Sequence, residues 1–560
     1  MTKPLLNYFL LLTCLLPPLC AQWSTDPTVN TIINDDPGAQ FLPKATPDGT
    51  GGAIVMWVEW GVDLYAQRID GSGYLRWDPG GTPLCVADNY QYPLGITGDG
   101  AGGAIFLWRD YRDVEGDIDF DTTPGALYVQ HLDSTGTPTW ALNGIEIKPV
   151  TRFNPIRWET IISDGRGGAY VAWYNFTPSS IVLQHIDSSG AALLDSGGLI
   201  LFEPDHGNTV HLILDAFNGV FVIFQHLAVR LSYNGEPLWD EPIVTGGSGF
   251  GNKAVTDGKG GFIQAGFISP GAEPKRLRLQ RISPNGERLW GEVNIYIGGR
   301  ETYEWLQLIE DGYSGAYATW VHEEDGVKQT FFQHIDSTGN LLWGDDSTEY
   351  VPIKRTVSPV VTDGRGGFIY GYSHKTDTSA HYISNRIDAS GLAQWGTQGT
   401  IYLTRTNWPQ GFSRLQGISN HTGGAIMVWD ERGDHTLGYG IFAAKVNRNG
   451  ILGGAVLSIL PETGGVIPRA FQLFQNYPNP FNAATRIKFT LPGRDRISLR
   501  IYDLTGREVR LLQNDSLEAG TYSVIWDGRD NSGRAVGSGI YLCRLQGTIS
   551  RTTVKLALIK

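Results

Sequence analysis

The sequence predicts an all-β protein with two parts: an eight-bladed β-propeller closed by a strand from the N-terminus, followed by a small β-sandwich. Three observations support this fold class. Two turn motifs recur at fixed offsets along most of the 560 residues, 72 glycines accompany many aromatic and β-branched residues, and helical periodicity is nearly absent. Such a composition favours many short strands joined by tight turns.

The first 21 residues have the layout of a secretory signal peptide. Lys3 precedes the apolar run Leu5–Leu19, and we expect cleavage after Ala21, where the chain becomes polar at Gln22. The run is short and broken by proline, and no later segment is long and apolar enough to span a bilayer, so we expect no transmembrane segment after signal removal. A lipid anchor on Cys20 is the alternative, which the bulky residues before it disfavour.

Charge and cysteine content narrow the classes of partner. The formal net charge of −13 favours solubility and argues against nucleic acid or an anionic membrane as a partner. Of the four cysteines, two lie in the signal peptide, and Cys85 and Cys543 fall in separate predicted domains. We therefore expect no disulfide framework.

A glycine-rich turn is the clearest internal repeat. The pattern Asp-Gly-x-Gly-Gly, or a weaker copy of it, begins at Asp48, Asp99, Asp164, Asp215, Asp257, Asp311, Asp363 and Asn420. Nine residues after each start stands an aromatic residue in every copy but one, which has Gly266. The constant offset indicates one structural unit repeated eight times.

A second turn follows in every unit. It begins at Asp70, Asp133, Asp187, Ser232, Ser283, Asp336, Asp388 and Asn447, and the third residue onward is always glycine. The seventh residue onward is tryptophan in Trp77, Trp140, Trp239, Trp290, Trp343 and Trp395. Leu194 and Gly454 take that place in the third and the eighth unit.

Each unit therefore contains four extended segments, and the second is continuously apolar, as expected for a strand covered on both faces. Four antiparallel strands per repeat are typical of a β-propeller, with a solenoid as the alternative. Ring closure favours the propeller, because the last unit lacks its tryptophan while Trp23 belongs to no unit of its own. We expect the N-terminal strand to complete the eighth blade, so that residues 22–455 form a ring without a free sheet edge.

A different module follows a linker at residues 456–470 and occupies residues 471–560. Alternating segments at 487–491 and 497–502 and strands near 522–526 and 540–545 predict a small antiparallel sandwich of Ig type.

The motifs of this module occur in a defined order. They are Tyr-Pro-Asn-Pro-Phe-Asn at 477–482, Leu-Thr-Gly-Arg at 504–507, Trp-Asp-Gly at 526–528, Ser-Gly-Ile-Tyr at 538–541 and the terminal Lys-Leu-Ala-Leu-Ile-Lys at 555–560. Together they resemble the type A sorting domain of the type IX secretion system, and the module is also similar to the Ig-like domain of flagellar hook-cap proteins. The matching residues include Pro478, Asn479, Pro480, Phe481, Gly506, Trp526, Gly539, Lys555 and Lys560.

The resemblance implies a partner and a destination. The type IX secretion machinery would recognise residues 471–560, after the signal peptide has directed the chain to the periplasm. The protein would then be secreted or held on the outer-membrane surface.

The two ends of the predicted propeller differ. Because the strands of each unit form an antiparallel meander, both repeated turns lie at one end of the propeller and the loops of changing length lie at the other. Variable loops favour binding, whereas uniform turns favour a structural role. We expect any site to draw on the loops at 58–64, 109–126, 174–180, 267–276, 321–329, 373–381 and 430–439.

One of these loops contains a candidate calcium site. Asp117, Asp119 and Asp121 stand two residues apart, so an extended segment would present three carboxylates on one side, as calcium requires. A solvated acidic loop is the simpler interpretation. No other cofactor is expected.

Three carboxylates near the same rim, Asp110, Glu323 and Asp430, are candidate catalytic residues. Glycan hydrolysis needs an acid and a base at a defined separation. Eight blades supply such pairs by accident, so a structural role is the simpler interpretation. One third-strand position holds arginine or histidine in most units, which we interpret as charge satisfaction within the blades.

The leading hypothesis is an exported propeller that binds a protein or a glycan through its variable loop face without turnover. The second hypothesis is a secreted glycan-acting hydrolase that uses the rim carboxylates, and the third is a structural surface or matrix protein. Binding is favoured, and enzymatic activity is left open.

Overall fold

The computed structural model is built from antiparallel strands. It describes residues 23–559 except 35, 37, 60–61, 121–122, 150–155, 205–208, 247–251, 269–275, 292, 297–302, 325–326, 344–356, 377–378, 397–398, 407–412, 433–437, 454–469, 483–484, 518, 527 and 532–535. The predicted signal peptide, nearly all of the predicted linker and Lys560 lie outside the described residues. Across the residues that are described, no helix has the length and apolar character needed to cross a membrane.

The strands of the repeat region follow the predicted units of four. They are β1 Thr31–Asn34, β2 Gly38–Pro47, β3 Ala53–Glu59, β4 Asp63–Ile69, β5 Thr82–Cys85, β6 Gln91–Gly98, β7 Ala104–Asp110, β8 Ala126–Leu132, β9 Ile145–Lys148, β10 Ile156–Ser163, β11 Ala169–Phe176, β12 Ser179–Ile186, β13 Leu199–Phe202, β14 Val210–Leu214, β15 Val220–Phe224, β16 Leu227–Leu231, β17 Ile243–Val244, β18 Lys253–Thr256, β19 Phe262–Ile268, β20 Arg276–Ile282, β21 Val293–Tyr296, β22 Tyr303–Glu310, β23 Ala316–Glu324, β24 Val327–Ile335, β25 Val357–Thr362, β26 Phe368–Lys375, β27 Ser379–Ile387, β28 Thr400–Thr406, β29 Ser413–Ser419, β30 Ala425–Arg432 and β31 Gly438–Val446. Six meanders have four strands each, the unit of β22–β24 has three described strands, and β29–β31 are joined by β1.

These units form a closed ring. The first strand of each unit contacts the first strand of the next, from β2 through β6, β10, β14, β18, β22, β25 and β29 and back to β2. The first strands therefore form the inner wall of the ring. The second strand is buried on both faces, as in β7, where every residue is buried. The predicted all-β propeller fold is confirmed. The count of eight blades stays a prediction, which these eight units support.

An aspartate holds the glycine-rich turn of each unit. Asp164 Oδ1 accepts the backbone N–H groups of Arg166 and Gly168 at 2.7 and 2.8 Å, which closes the turn. A Cβ atom on Gly168 would lie 2.2 Å from the backbone oxygen of Ile186 in the third strand. Glycine is therefore required here because the turn packs directly on its own sheet.

The second carboxylate oxygen of the same aspartate faces an arginine or a histidine of the third strand. The pairs are Asp48 with Arg68, Asp99 with His131, Asp164 with His185, Asp215 with Arg230, Asp257 with Arg281, Asp311 with His334 and Asp363 with Arg386. All seven carboxylates are almost completely buried, so the arginine or histidine supplies the polar partner that burial demands. The alternation of arginine and histidine is explained by this structural role.

Tryptophan links each blade to the next. The indole Nε1 of Trp77 donates to Ser134 O at 3.2 Å, in the second turn of the following unit. Equivalent bonds are made by Trp140, Trp239, Trp290, Trp343 and Trp395. The third unit has Leu194 instead, and there His185 Nδ1 lies 2.9 Å from Tyr233 O at the equivalent place. The second-turn glycine makes room for the ring, since a Cβ atom on Gly136 would lie 2.5 Å from Trp77.

Trp23 supplies the missing link between the last unit and the first. Its Nε1 lies 3.2 Å from Gly71 O in the second turn of the first unit, and the side chain is 3% exposed. Just beyond it, β1 pairs antiparallel with β31, with Thr31 opposite Ala443. The structure therefore places the N-terminal segment as the fourth strand of the last unit, where the sequence predicted it.

The last unit also departs from the ion-pair rule. Asn420 replaces the turn aspartate, and Lys445, at the third-strand cation position, donates to Gly51 O and Gly71 O at 2.8 and 2.7 Å. Burial lowers the pKa of Lys445 to about 8, although Asp48 and Asp70 favour its charged form. Lys445 therefore bridges the last and the first unit, whereas the equivalent side chain of the other units contacts the aspartate of its own blade.

The C-terminal residues form a separate two-sheet sandwich. Its strands are β32 Gln472–Leu473, β33 Thr485–Leu491, β34 Asp495–Tyr502, β35 Glu508–Leu517, β36 Gly520–Trp526, β37 Gly539–Gln546 and β38 Arg551–Leu558. The sheet orders are β32-β33-β36 and β35-β34-β37-β38. Alternate residues of β34 point into a core that includes Phe481, Ile487, Leu499 and Trp526. The alternation read from the sequence thus corresponds to one buried face per sheet.

Removing the ring-closing tryptophan tests its energetic role. Trp23→Ala is expected to lower the free energy of unfolding by about 3–5 kcal/mol, because a buried aromatic side chain is lost. Trp23→Phe keeps most of the packing and loses the indole donor, so a smaller loss of about 1 kcal/mol is expected. Urea unfolding of the mature chain measures both. Phe217→Ala, which changes an aromatic ring that is 75% exposed, is the matched control. An unchanged midpoint in Trp23→Ala would refute the closure role.

Candidate functional site

The variable loop face is the end of the ring at which the first strands begin. The glycine-rich turns and the second turns lie at the opposite end, because successive strands of each meander are antiparallel. Candidate residues on the variable face come from the ends of the second strands and from the loops that follow them.

Asp110 ends the second strand of its unit and is enclosed by hydrogen bonds. Its Oδ2 accepts from Trp108 Nε1 at 2.8 Å and from Arg112 Nη2 at 2.6 Å, and its Oδ1 accepts from Arg112 Nε at 2.8 Å. Cys85 Sγ lies 3.7 Å from Oδ2, and burial raises the pKa of this thiol to about 12. The carboxylate is 1% exposed, so these contacts favour a structural role.

The other two predicted carboxylates do not join it in the described structure. Asp430 is 2% exposed, and its Oδ2 accepts the backbone N–H of Leu42 at 3.1 Å, on the neighbouring first strand. Leu42 lies in a β-bulge with φ of 58°, which Asp430 thereby supports. The backbone of Glu323 lies in β23, opposite Lys328, and its side chain is outside the described residues. The hypothesis of an acid and base pair remains a prediction.

The candidate calcium ligands lie in an exposed loop. Asp117 and Asp119 are exposed, and Asp119 folds back on Thr123, whose backbone N–H donates to Asp119 O at 2.7 Å. Asp121 lies outside the described residues. Among the residues that are described, no three His, Cys, Asp or Glu side chains lie close enough together to hold a metal ion. Calcium binding therefore also remains a prediction.

Two groups of aromatic side chains lie on the same face, one on the second unit and one on the third. Their members, which we together name the aromatic platform, are Tyr90, Tyr92 and Phe120 in the first group and Trp158 and Phe176 in the second. The ring centroid of Phe120 lies 5.8 Å from that of Tyr90 and 5.4 Å from that of Tyr92, and those of Trp158 and Phe176 are 6.0 Å apart. Tyr90, Phe120 and Phe176 are 41%, 39% and 43% exposed, whereas Tyr92 and Trp158 are half-buried. Exposed aromatic rings make this face a candidate binding surface.

An ion pair anchors the platform from below. Arg109 pairs with Glu159 of the next unit, and the Arg109 Nη1 donates to Phe120 O at 3.1 Å. Arg157 donates to the same oxygen at 3.0 Å, which joins the loop of the second unit to the first strand of the third. Burial disfavours the charged form of Arg109, but Glu159 and Tyr111 together outweigh this cost and raise the pKa of Arg109. The backbone of Phe120 is therefore held by both the second and the third unit.

Trp158 lies in a β-bulge, and its ring packs against Tyr174 and the core between the third and fourth units. The bulge falls between Arg157 and Thr160 of β10, and Trp158 has φ of 54°. Leu42 has φ of 58° at the equivalent place in the first unit, and Trp305 takes that place in the sixth unit, so the bulge belongs to the repeat. A bulge re-aims a side chain without breaking the sheet.

Sequence reasoning placed the site on loops 109–126 and 174–180, which contribute Phe120 and Phe176, but it did not single out these aromatic residues. Tyr90 and Trp158 precede the predicted loops. The available signal was the presence of aromatic residues near the loops of two successive units, which becomes visible only after neighbouring units are aligned.

The predicted sorting residues lie together at one end of the sandwich, apart from Gly506, Gly539 and Lys560. Asn479 Oδ1 accepts from Ala557 N at 2.8 Å, and its Nδ2 donates to Lys555 O at 3.2 Å. Phe481 packs on Trp526 with ring centroids 5.5 Å apart. Pro478 and Pro480 flank Asn479 in the same segment, Gly506 closes the turn after β34, and Gly539 begins β37.

The contacts of Asp110 predict the effect of removing its charge. Asp110→Asn is expected to lower the free energy of unfolding by roughly 3 kcal/mol, because it leaves Arg112 without its anion. Thermal or urea unfolding measures this change. Asp117→Asn, at an exposed position of the following loop, should stay within about 0.5 kcal/mol of the wild type. Wild-type stability in Asp110→Asn would contradict the structural assignment and restore its candidacy as a catalytic group.

Comparison with known proteins identifies the C-terminal module. Residues 479–550 match the model of the FlgD Ig-like domain. No curated protein matches the chain. Similar solved structures include the exotype rhamnogalacturonan lyase YesX, with 14% identity, coverage of 72% of this chain and 72% of that chain, and a TM-score of 0.35. The polysaccharide lyase Uly1 has 9% identity, coverage of 70% of this chain and 93% of that chain, and a TM-score of 0.34. Prolyl oligopeptidase B from Galerina marginata has 10% identity, coverage of 82% of this chain and 55% of that chain, and a TM-score of 0.37. The chain thus carries an Ig-like FlgD domain at residues 479–550.

Proposed function

We propose that the ring is a glycan-binding domain, and that the C-terminal module delivers it to the outside of the cell. The exposed aromatic platform is the observation that carries the binding proposal. Three of its rings keep about two fifths of their surface in water although the surrounding blades are tightly packed. A ligand that covers them recovers hydrophobic free energy at roughly 25 cal/mol per Å².

The size and chemistry of the platform favour a glycan over a protein. A stable protein interface buries about 800 Å² on each partner, far more than three exposed rings offer. Sugar rings present flat C–H surfaces that pack on aromatic faces and hydroxyl groups that bond to polar neighbours. The Tyr90 hydroxyl and the Arg157 guanidinium border the platform and supply such neighbours.

Binding without turnover fits the described carboxylates better than hydrolysis does. A general acid or base must be free to exchange a proton with the substrate. Asp110 and Asp430 are buried and already accept hydrogen bonds from their own blades. No described contact favours the hydrolase over the binding domain.

The export proposal rests on the two ends of the chain. The N-terminal 21 residues have the pattern of a signal peptide, and the ordered motifs of residues 471–560 resemble a type A sorting domain of the type IX system. An Ig-like fold at 479–550 is consistent with that resemblance. The proposed partners are therefore the type IX machinery for the C-terminal module and a surface or environmental glycan for the ring, in a secreted or surface-held protein.

Loss of one platform ring is expected to weaken glycan binding. Phe176→Ala and Tyr90→Ala should each raise the Kd by about tenfold, since each removes roughly 1–2 kcal/mol of burial. A glycan array identifies the ligand, and calorimetry on the mature chain measures the Kd. Phe217→Ala is the control, because this ring is 75% exposed and lies on the opposite face. Equal binding by all variants would overturn the platform as the site, and absence of binding to every glycan would overturn the glycan proposal.

Removal of residues 471–560 is expected to stop export across the outer membrane. The shortened chain should accumulate in the periplasm of a host with a type IX system, because the sequence that the machinery reads is lost. Cell fractionation with an antibody to the ring measures this. A full-length chain with Trp526→Ala controls for folding of the module, since this buried ring supports its core. Normal secretion of the shortened chain would refute the sorting role.

A further inference from the structure

The tips of the glycine-rich turns differ between units, although the turns themselves do not. The residue two places after each turn start, which we name the tip residue, is in chain order Thr50, Ala101, Arg166, Phe217, Lys259, Tyr313, Arg365 and Thr422. The third to seventh units thus carry cations and aromatic rings in strict alternation, whereas the other three units carry small side chains. We name these five alternating tip residues the tip arc.

The five residues of the tip arc are held in the same way. The backbone N–H of each donates to Oδ1 of the buried aspartate that starts its turn, at 2.7 or 2.8 Å. Because this contact is the same in every unit, the five side chains leave equivalent points of successive blades. They therefore lie on one face of the ring.

Side chains of the tip arc also reach the neighbouring turns. A Cβ atom on Gly366 would lie 2.6 Å from the ring of Tyr313, which belongs to the preceding unit. In the same way, a Cβ atom on Gly423 would lie 3.4 Å from Nε of Arg365. A tip side chain thus lies across the turn of the next unit, which makes the tip arc a continuous surface.

The rings of the tip arc are more exposed than those of the aromatic platform. Phe217 and Tyr313 are 75% and 71% exposed. The three cations are exposed as well, and the guanidinium of Arg166 lies 4.3 Å from the ring centroid of Tyr233 in the next unit. Each of these five turns has two exposed residues, and none of these ten is a carboxylate. Exposed rings beside lysine and arginine are typical of surfaces that bind the headgroup layer of a membrane.

The net charge of the whole chain does not decide what this one face binds. The chain carries −13, but at physiological ionic strength charges are screened over about 8 Å, so acids on the opposite face act little at the tips. Glu310, beside the sixth turn, is half-buried, and burial raises its pKa, which favours its neutral form. Acids at the same end lie on the second turns, which join the outer strands, and they include Asp187, Glu236, Glu287, Asp336 and Asp388.

We propose that the tip arc docks the protein on a lipid bilayer that presents anionic phosphate headgroups. The three cations contact lipid phosphates, and the two rings enter the headgroup layer between them. The exposed rings favour a membrane over a soluble polyanion such as polyphosphate, because such a polyanion needs only the cations. For this face the proposal reverses the expectation, drawn from the net charge, that an anionic membrane is not a partner. It does not depend on glycan binding, since the aromatic platform lies on the opposite face.

The test measures flotation of the mature full chain with vesicles of phosphatidylcholine, prepared with and without phosphatidylglycerol. Binding is expected only with phosphatidylglycerol and should fall as salt is added. Lys259→Ala should weaken binding by about fivefold, as expected when one cation is lost from an anionic surface. The double variant Phe217→Ala, Tyr313→Ala should weaken it by about tenfold, because the apolar contact is lost.

Two control variants change similar side chains elsewhere. Arg507→Ala removes a cation of the C-terminal sandwich whose side chain is 80% exposed, and Phe176→Ala removes a ring of the aromatic platform. Both should float like the wild type. Glycan binding has the opposite dependence, since it should be weakened in Phe176→Ala and kept in Phe217→Ala, so the two proposals fail separately.

Weaker flotation of both tip variants, with both controls unchanged, supports docking. The proposal is overturned if the wild type does not float, if it floats equally with both kinds of vesicle, or if Lys259→Ala floats like the wild type. Loss in Lys259→Ala with no change in the aromatic double variant also overturns it, and would assign the face to a soluble polyanion.

Discussion

The contact between the turn aspartate and the arginine or histidine of the third strand is the interaction on which the ring depends. One carboxylate oxygen closes the glycine-rich turn and the other holds the third strand, so a single buried side chain fixes three strands of a blade in register. Because this contact recurs with little variation, the face of the ring that carries the glycine-rich turns has a structural role. Variation in loop length is thereby confined to the opposite face, where the aromatic platform lies.

Links between blades complete this scheme. The indole of one unit bonds to the second turn of the next, and the glycine there is required because the ring of the tryptophan occupies the space of a Cβ atom. Two units that depart from this pattern have a replacement contact between the same blades. In the third unit, which has Leu194 in place of tryptophan, His185 bonds to Tyr233 O of the next unit. In the last unit, where Asn420 replaces aspartate, Lys445 bonds to Gly51 O of the first unit. Two kinds of contact, one within a blade and one between blades, thus account for the closed ring.

Much of this could be predicted from the sequence, because the contacts involved are encoded at constant offsets. The role of Trp23 followed from one missing tryptophan at the end and one additional tryptophan at the start. The site could not be predicted in the same way. Phe120 lies over another unit because Arg109 and Arg157 hold its backbone oxygen, and the position of Trp158 depends on a bulge that has no sequence signature. Asp110 shows the same limit, since the role of this charged residue depends on whether a partner lies nearby.

Pairing of β1 with β31 has a consequence for how the chain acquires its structure. Thr31, near the start of the described chain, finds Ala443 only after almost all other blades exist. Contacts between residues so distant in sequence form slowly, because the entropy of closing a long loop is lost before the contact contributes any stabilising free energy. If the chain is exported from its N-terminus through a narrow channel, as proposed, its first strand stays unpaired until the last blade arrives. Under that proposal the ring closes only after the whole repeat region has crossed, because a chain halted part-way leaves one sheet without its outermost strand.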